Sequence, residues 1–317
     1  MKVSVCITIF NEEKSIARLL DSLLVQTKKP DEIVIIDGGS KDKTIKIVKH
    51  YQKKERRIKL ISEPGSLSHG RNVSIELARN DVVALTDASC VARKDWLELI
   101  TEPFKHKYVG LVAGFYDMCA STPLNESLNV FLGVPSERFD PTSFIPSARS
   151  VAFRKDIWER VGGFDERLDK AGEDTKFFYQ CVKAGVKIVR VKQARVEWEE
   201  SADMSFFDAI KKFKQYAKGD AQAKIWWHPE KHLASHNIKI SMIFVRYALG
   251  LTVLGLSFIY PLLLYLLIIG FILYLFWSIW KWRDVITDFK AKLWLPIIQV
   301  TSDLAVMYGF ASGTLSK

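Results

Sequence analysis

Acidic and Gly/Ser residues collect in this chain where short apolar runs end. The clusters are Asn11-Glu12, Asp37-Gly38-Gly39-Ser40, Gly70-Arg71-Asn72, Thr86-Asp87-Ala88-Ser89 and Gly172-Glu173-Asp174-Thr175. Three of them close runs with the look of parallel strands, as Val82-Val83-Ala84-Leu85 does before Asp87. In open α/β sheets, ligands bind outside the carboxyl ends of strands. The pattern therefore predicts one cleft rich in carboxylates, with Arg71 beside it. Carboxylates so placed can hold a divalent cation or remove a proton, and a guanidinium pairs well with phosphate. Each cluster also has a plainer reading. Asn11-Glu12 and Glu173-Asp174 suit helix N-termini, and Asp-Gly-Gly-Ser suits a tight turn.

The elements that must carry these residues alternate. Strand patterns fall at 3–9, 32–37, 58–61, 82–86, 109–116, 148–153 and 186–191. Helix patterns fall at 12–26, 41–53, 67–79, 94–104, 155–160 and 173–184. In the first helix, Ile16, Leu19, Leu20, Leu23 and Leu24 recur at helical spacing. This alternation predicts an α/β domain over residues 1–204, with a mostly parallel sheet covered on both faces. Between 118 and 147, Pro123, Pro135, Pro141 and Pro146 interrupt any regular pattern. That stretch is expected to be a long loop, either a lid over a site or a surface excursion.

Beyond residue 204 the character changes. In 205–218, Phe206, Ile210, Phe213 and Ala217 share one helical face while Lys211, Lys212, Lys214 and Lys218 crowd the rest. A basic amphipathic helix of this kind can lie in a membrane interface. Trp226 and Trp227 follow within the same linker, 205–240, and indole rings favour the headgroup level. Residues 241–280 hold one charge, Arg246, in forty positions, broken at Ser257 and Pro261. About 20 apolar residues span a bilayer, so a two-helix hairpin is expected near 241–258 and 261–280, with Arg246 snorkelling. Lys231 and Lys239 precede the hairpin, and Lys281, Arg283, Lys290 and Lys292 follow it. The positive-inside rule puts both ends in the cytoplasm. The last segment, 281–317, carries a third apolar stretch at 293–311, interrupted by Pro296, Gln299 and Asp303. An interfacial or re-entrant helix, or a third span, all fit it.

Charge separates the two halves. Residues 205–317 hold 13 Lys/Arg and 6 Asp/Glu, a net of +7, which leaves +3 of the total +10 for residues 1–204. A basic excess beside apolar segments points to anionic lipid, not nucleic acid. No helix-turn-helix, RNP or zinc-finger pattern is present. The four cysteines (Cys6, Cys90, Cys119, Cys181) lack ligand spacing and read as free thiols in a reducing compartment. Met1 leads straight into the first strand, with no basic region and signal core, so the first domain is expected to remain cytoplasmic. There is no Gly-X-Gly-X-X-Gly or Walker A loop, which argues against a dehydrogenase or an ATPase.

Thr8-Ile9-Phe10-Asn11-Glu12, Asp37-Gly38-Gly39-Ser40, Gly70-Arg71-Asn72, Asp87-Ala88-Ser89, Gly162-Gly163-Phe164-Asp165 and Gly172-Glu173-Asp174 stand in an order that resembles the inverting glycosyltransferases of family two. The resemblance covers roughly residues 1–200 and implies the GT-A nucleotide-binding fold. It implies donor contacts from Thr8, Phe10, Asn11, Glu12, Asp37, Gly38, Ser40, Gly70, Arg71, Asp87 and Ala88. It implies a catalytic base at Asp174, with Glu173 positioning the acceptor. It also implies Mn2+ or Mg2+ at the family's Asp-X-Asp, which is here Asp87-Ala88-Ser89. The second carboxylate is missing, so Ser89 is the remaining partner of Asp87, and metal dependence is an open expectation. The Gln-X-X-Arg-Trp of processive members is absent; Gln215 is followed by Tyr216-Ala217-Lys218-Gly219.

The resulting expectation is a multi-pass protein of the cell membrane with a cytoplasmic catalytic domain. It would move one sugar, with inversion, from a nucleotide-diphosphate sugar (UDP before GDP) to a lipid-linked or membrane-proximal acceptor in glycan or glycolipid assembly. The alternatives are a non-catalytic nucleotide-sugar-binding homologue and a transferase with a soluble acceptor.

Overall fold

A computed structural model describes residues 1–168, 171–228, 230 and 235–316. Lys231, one of the cations preceding the hairpin, lies outside the described residues. The chain divides into two compact units, Met1–Cys119 with Arg138–Glu200, and Ala120–Glu137 with Ser201–Lys317.

Among the described residues, the first unit is built on eight strands: β1 (Val3–Ile9), β2 (Glu32–Asp37), β3 (Ile58–Ser62), β4 (Val82–Leu85), β5 (Cys90–Ala92), β6 (Val109–Met118), β7 (Val151–Arg154) and β8 (Lys187–Trp198). They form one sheet in the order β3-β2-β1-β4-β7-β6-β8-β5. β1 pairs in parallel with β2 and β4, β2 with β3, and β6 with β8. β7 runs antiparallel to both β4 and β6, and β5 antiparallel to β8. The central strands β2 and β4 are buried at every position, as their unbroken apolar runs require. Helices α1 (Ile16–Leu24), α2 (Thr44–Lys54), α3 (Leu67–Glu76), α4 (Trp96–Thr101), α6 (Lys155–Val161) and α7 (Glu173–Lys183) complete the unit. α1 buries Ile16, Leu19, Leu20 and Leu23, the stripe its spacing announced. β5 is a three-residue strand without a sequence signature, and β8 runs on to Trp198, past the expected end at 191.

The second unit is helical. The proline-rich stretch holds a helix, α5 (Pro123–Leu132), where a long loop was expected. Pro123 occupies its first turn, where a missing N–H costs nothing. The Thr122 hydroxyl caps it by accepting from the Asn125 amide at 3.2 Å. α8 (Phe206–Ala223) buries Ala209, Phe213, Ala217 and Ala221, while Phe206 and Ile210 of its expected apolar face are half-buried. α9 (His236–Leu256), α10 (Leu262–Trp280) and α11 (Phe289–Leu315) are each long and apolar enough to cross a membrane. Only 6% of the most apolar window of α9 and of α10 is buried, against 44% for α11, so α11 is the most protein-covered of the three. α11 continues past Pro296 without ending. A Cβ on Gly309 would lie 2.2 Å from the Lys214 carbonyl oxygen, and one on Gly313 2.6 Å from that of Lys218. Bare glycines thus let α8 and α11 touch backbone to backbone.

Arg246 is paired, where snorkelling was expected. Its Nη2 donates to Asp303 at 2.6 Å. The same carboxylate accepts from the Tyr274 hydroxyl at 2.5 Å, the Tyr247 hydroxyl at 3.2 Å and the Gln299 amide at 3.2 Å. One buried aspartate on α11 so ties α9 and α10 together.

Candidate active site

Parallel pairing aligns Ile9 with Asp37, so β1 and β2 release their chains side by side. The two loops then zip together. The Asn11 amide donates to the Ser40 hydroxyl at 2.8 Å, and the Lys41 amide donates back to Asn11 Oδ1 at 2.8 Å. Asn11 adopts a left-handed conformation, φ 56°, which asparagine tolerates better than most residues. Phe10 beside it is 58% exposed, a free aromatic face at this edge. The Glu12 amide donates to the Thr44 hydroxyl at 2.7 Å, and its carboxylate accepts from the Ser15 hydroxyl at 2.5 Å. Burial foremost pushes the Glu12 carboxyl above its ordinary range, the Ser15 bond opposes it, and Glu200, Asp87 and Asp42 add repulsion.

Asp37 is fully buried and folds back on its own turn. Its carboxylate accepts from the Gly39 amide at 3.1 Å and the Ser40 amide at 3.2 Å. The Gly38 amide closes the turn onto the Ile9 carbonyl at 2.9 Å. Thr8 and Gly70 meet each other: a Cβ on Gly70 would stand 2.5 Å from the Thr8 methyl carbon. That contact seats α3 on β1 and aims the next residue, Arg71, inward.

Arg71 is the centre of the constellation. It is 5% exposed, donates to Asp87 Oδ1 from Nη2 at 2.9 Å, and donates to Glu173 Oε1 from Nη1. One guanidinium so joins the turn after β4 to the first residue of α7. Burial alone would lower its pKa, but Asp87, Glu173 and Asp174 overcome that and raise it. Glu173 is 4% exposed and turned toward Arg71. Burial foremost raises its carboxyl pKa, Arg71 opposes, and Asp174 adds to the rise. Asp174 accepts from the Thr175 amide at 2.7 Å and, through Oδ2, from the Ala148 amide at 3.3 Å. Ala88 is buried, and the Ser89 hydroxyl accepts from Trp198 Nε1 at 3.1 Å.

The structure thus brings Arg71, Asp87, Ala88, Ser89, Glu173 and Asp174 together, with Glu12 close enough to Asp87 to feel its charge. Asn11, Ser40 and Asp37 form the neighbouring loop pair. Sequence reasoning passed over Arg149, whose Nε stands 3.9 Å from Asp87 Oδ2, and Trp198. The signal was the antiparallel register Leu85↔Val151, which sets the residues before Val151 beside Thr86 and Asp87. An antiparallel strand within a parallel-looking alternation leaves no periodic trace.

Hard oxygen donors suit Mg2+ or Mn2+, and Asp87 with Ser89 supplies them. Among the described residues no group of three or more His, Cys, Asp or Glu gathers to hold a metal. Asp87 and Ser89 alone would leave such a cation short of ligands, which the phosphate oxygens of a bound ligand would have to supply.

The Glycosyl transferase family 2 profile matches residues 4–161, and the Glycosyl transferase family group 2 profile matches 106–281. The chain belongs to glycosyltransferase family 2. Among similar proteins, the uncharacterized glycosyltransferase EpsJ of Bacillus subtilis is 28% identical over 63% of this chain and 61% of its own length. The glucosyl-dolichyl phosphate glucuronosyltransferase of Haloferax volcanii is 24% identical over 62% of this chain and 68% of its own. The mannosyltransferase PcManGT of Pyrobaculum calidifontis, solved with GDP-Man and Mn2+, superposes with a TM-score of 0.58 at 17% identity, covering 100% of this chain and 88% of that one. S. aureus TarS 1–349 with UDP-GlcNAc gives 0.52 at 22% identity, covering 71% and 68%. These likenesses establish a GT-A fold.

Proposed function

We propose that this protein transfers a single sugar, with inversion, from a nucleotide-diphosphate sugar to a lipid-linked or membrane-proximal acceptor. The observation that carries the reading is the Arg71 bridge between Asp87 and Glu173, with Asp174 next in the chain. It sets a carboxylate for the donor end and a carboxylate for the acceptor end against one buried cation. Glu173 acts as the counter-charge that fixes Arg71, and Asp174 is the base.

In the step, an oxygen of the acceptor hydroxyl attacks the anomeric carbon. Its proton passes to the Asp174 carboxylate, and the bond from the anomeric carbon to the donor's phosphate oxygen breaks. The electron pair leaves on the diphosphate. Asn11, Ser40 and Phe10 border the nucleoside, and Asp37 holds their loop in shape. A divalent cation held by Asp87 and Ser89 would supply Lewis-acid stabilisation of the departing diphosphate. A positioned base is worth about 10²–10⁴ in rate.

Membrane acceptors are favoured by α9 and α10, whose surfaces are apolar and exposed over most of their length. The test is transfer of radiolabel from a panel of UDP- and GDP-sugars into organic-extractable lipid by the full-length protein. Label from one donor into lipid supports the reading. Label only in water-soluble products supports a soluble acceptor instead. Nucleotide binding without transfer to either fraction would reduce the protein to a binding homologue.

A further inference from the structure

Arg149 is built into the Asp-Ala-Ser turn with unusual care for a loop residue. Gly114 lacks a Cβ where one would lie 2.1 Å from the Ser150 hydroxyl, and its amide donates to the Ser150 carbonyl at 2.9 Å. The Ser150 hydroxyl accepts from Trp96 Nε1 at 2.9 Å and donates to the Ala194 carbonyl at 3.0 Å. The backbone at position 149 is thereby clamped. Its guanidinium lies 4.0 Å over the Trp198 ring and 5.0 Å from the Tyr116 ring. Nη1 donates to the Ser147 hydroxyl at 3.2 Å. Nε approaches Asp87 Oδ2 to 3.9 Å, longer than a hydrogen bond. Trp198, the plate beneath, donates to Ser89. The side chain is 15% exposed, so its guanidinium reaches the surface of the turn.

We propose that Arg149 is a donor-binding residue that takes phosphate oxygens of a nucleoside diphosphate at the Asp87-Ala88-Ser89 turn. This rests on the nucleotide-sugar reading above and adds to it the source of positive charge. The turn has one carboxylate, so it holds a metal less firmly than two would. A planar fork matches phosphate, and contact with the Trp198 and Tyr116 rings fixes the fork before the ligand arrives, so little freedom is lost on binding. Arg149 thus carries part of the charge that a fully ligated cation would otherwise carry.

The experiment is calorimetric titration of the full-length protein in detergent with UDP, UMP and uridine, and with GDP, GMP and guanosine, all in EDTA. Wild type is expected to prefer the diphosphate of one base over its monophosphate without metal. Arg149→Gln is expected to weaken diphosphate binding by about tenfold or more, since a charge-assisted bond is lost, with nucleoside affinity unchanged. Arg149→Lys keeps charge without the fork and should fall between; it carries the test alone should the Gln variant not fold. Equal diphosphate affinity in wild type and the variants would overturn the inference and leave the donor reading standing. So would diphosphate binding that vanishes in EDTA. No nucleotide bound under any condition would remove both.

Discussion

Arg71 joins a buried carboxylate, Glu173, to a half-buried one, Asp87, and the cost of losing it follows from what is left behind. Arg71→Met strands Asp87 and Glu173 without their shared cation. Removing one partner of a buried pair costs about 3–5 kcal/mol, so a clear fall in denaturation midpoint is expected. Arg71→Met with Glu173→Gln should recover much of it. His69, two residues earlier in α3, offers a pH test. Its ring contacts Glu166 at 3.1 Å and Glu63 at 3.6 Å, and the Glu166 bond foremost raises its pKa. The folded state therefore favours the charged ring. That contribution is complete below the ordinary histidine value of 6.5 and fades as pH rises through the higher folded value. His69→Gln should cost about 0.2–1 kcal/mol at pH 5.5 and nothing near pH 8.5, read by thermal melting. Asp87, Glu173, Asp174 and Arg71 were legible in the sequence because each follows an apolar run or a glycine. Arg149 was not, because the register that delivers it depends on β7 running against β4.

Elements were legible where one period governed them. The β1, β2 and β4 runs and the α1 stripe appear as their patterns required. α5 was hidden because its prolines suggested a break, although Pro123 stands at a position helices accept. α11 was ambiguous because Asp303 and Pro296 argued against a helix lodged in lipid. Asp303 is buried among Arg246, Tyr247, Tyr274 and Gln299, so its charge is held by protein groups. Hydrogen bonds between membrane helices are worth about 0.6 kcal/mol each on average, and a charge is involved here. Asp303→Leu is expected to destabilise the helical unit by about 1–3 kcal/mol. Adding Arg246→Met should return part of that, as a double-mutant cycle in detergent would show. Gly309→Leu tests the other joint of α11. With a carbonyl oxygen 2.2 Å from its Cβ position, the α8–α11 contact must open. Overpacking costs about 1–3 kcal/mol, and a melting temperature equal to wild type would contradict this packing.

On the scale of the whole molecule, an α/β unit holds the carboxylate and arginine constellation, and a helical unit holds three helices of membrane length. The charge of the chain agrees with that division, since most of its net +10 falls beyond residue 204. Vesicles rich in anionic lipid should therefore retain the protein better than neutral ones, with salt reducing the difference. If a divalent cation joins Asp87 and Ser89 on the donor, chelation should slow transfer, and added Mn2+ should restore it at concentrations above those a two-carboxylate site would need. The central claim is that Asp174 removes the acceptor proton while the rest of the site holds the donor. The most direct measurement compares Asp174→Asn with wild type in two readouts, sugar transfer to the acceptor and affinity for the donor nucleotide. The expected result is a loss of about 10²-fold or more in transfer with nucleotide affinity within about twofold of wild type. Transfer at the wild-type rate by Asp174→Asn would contradict it.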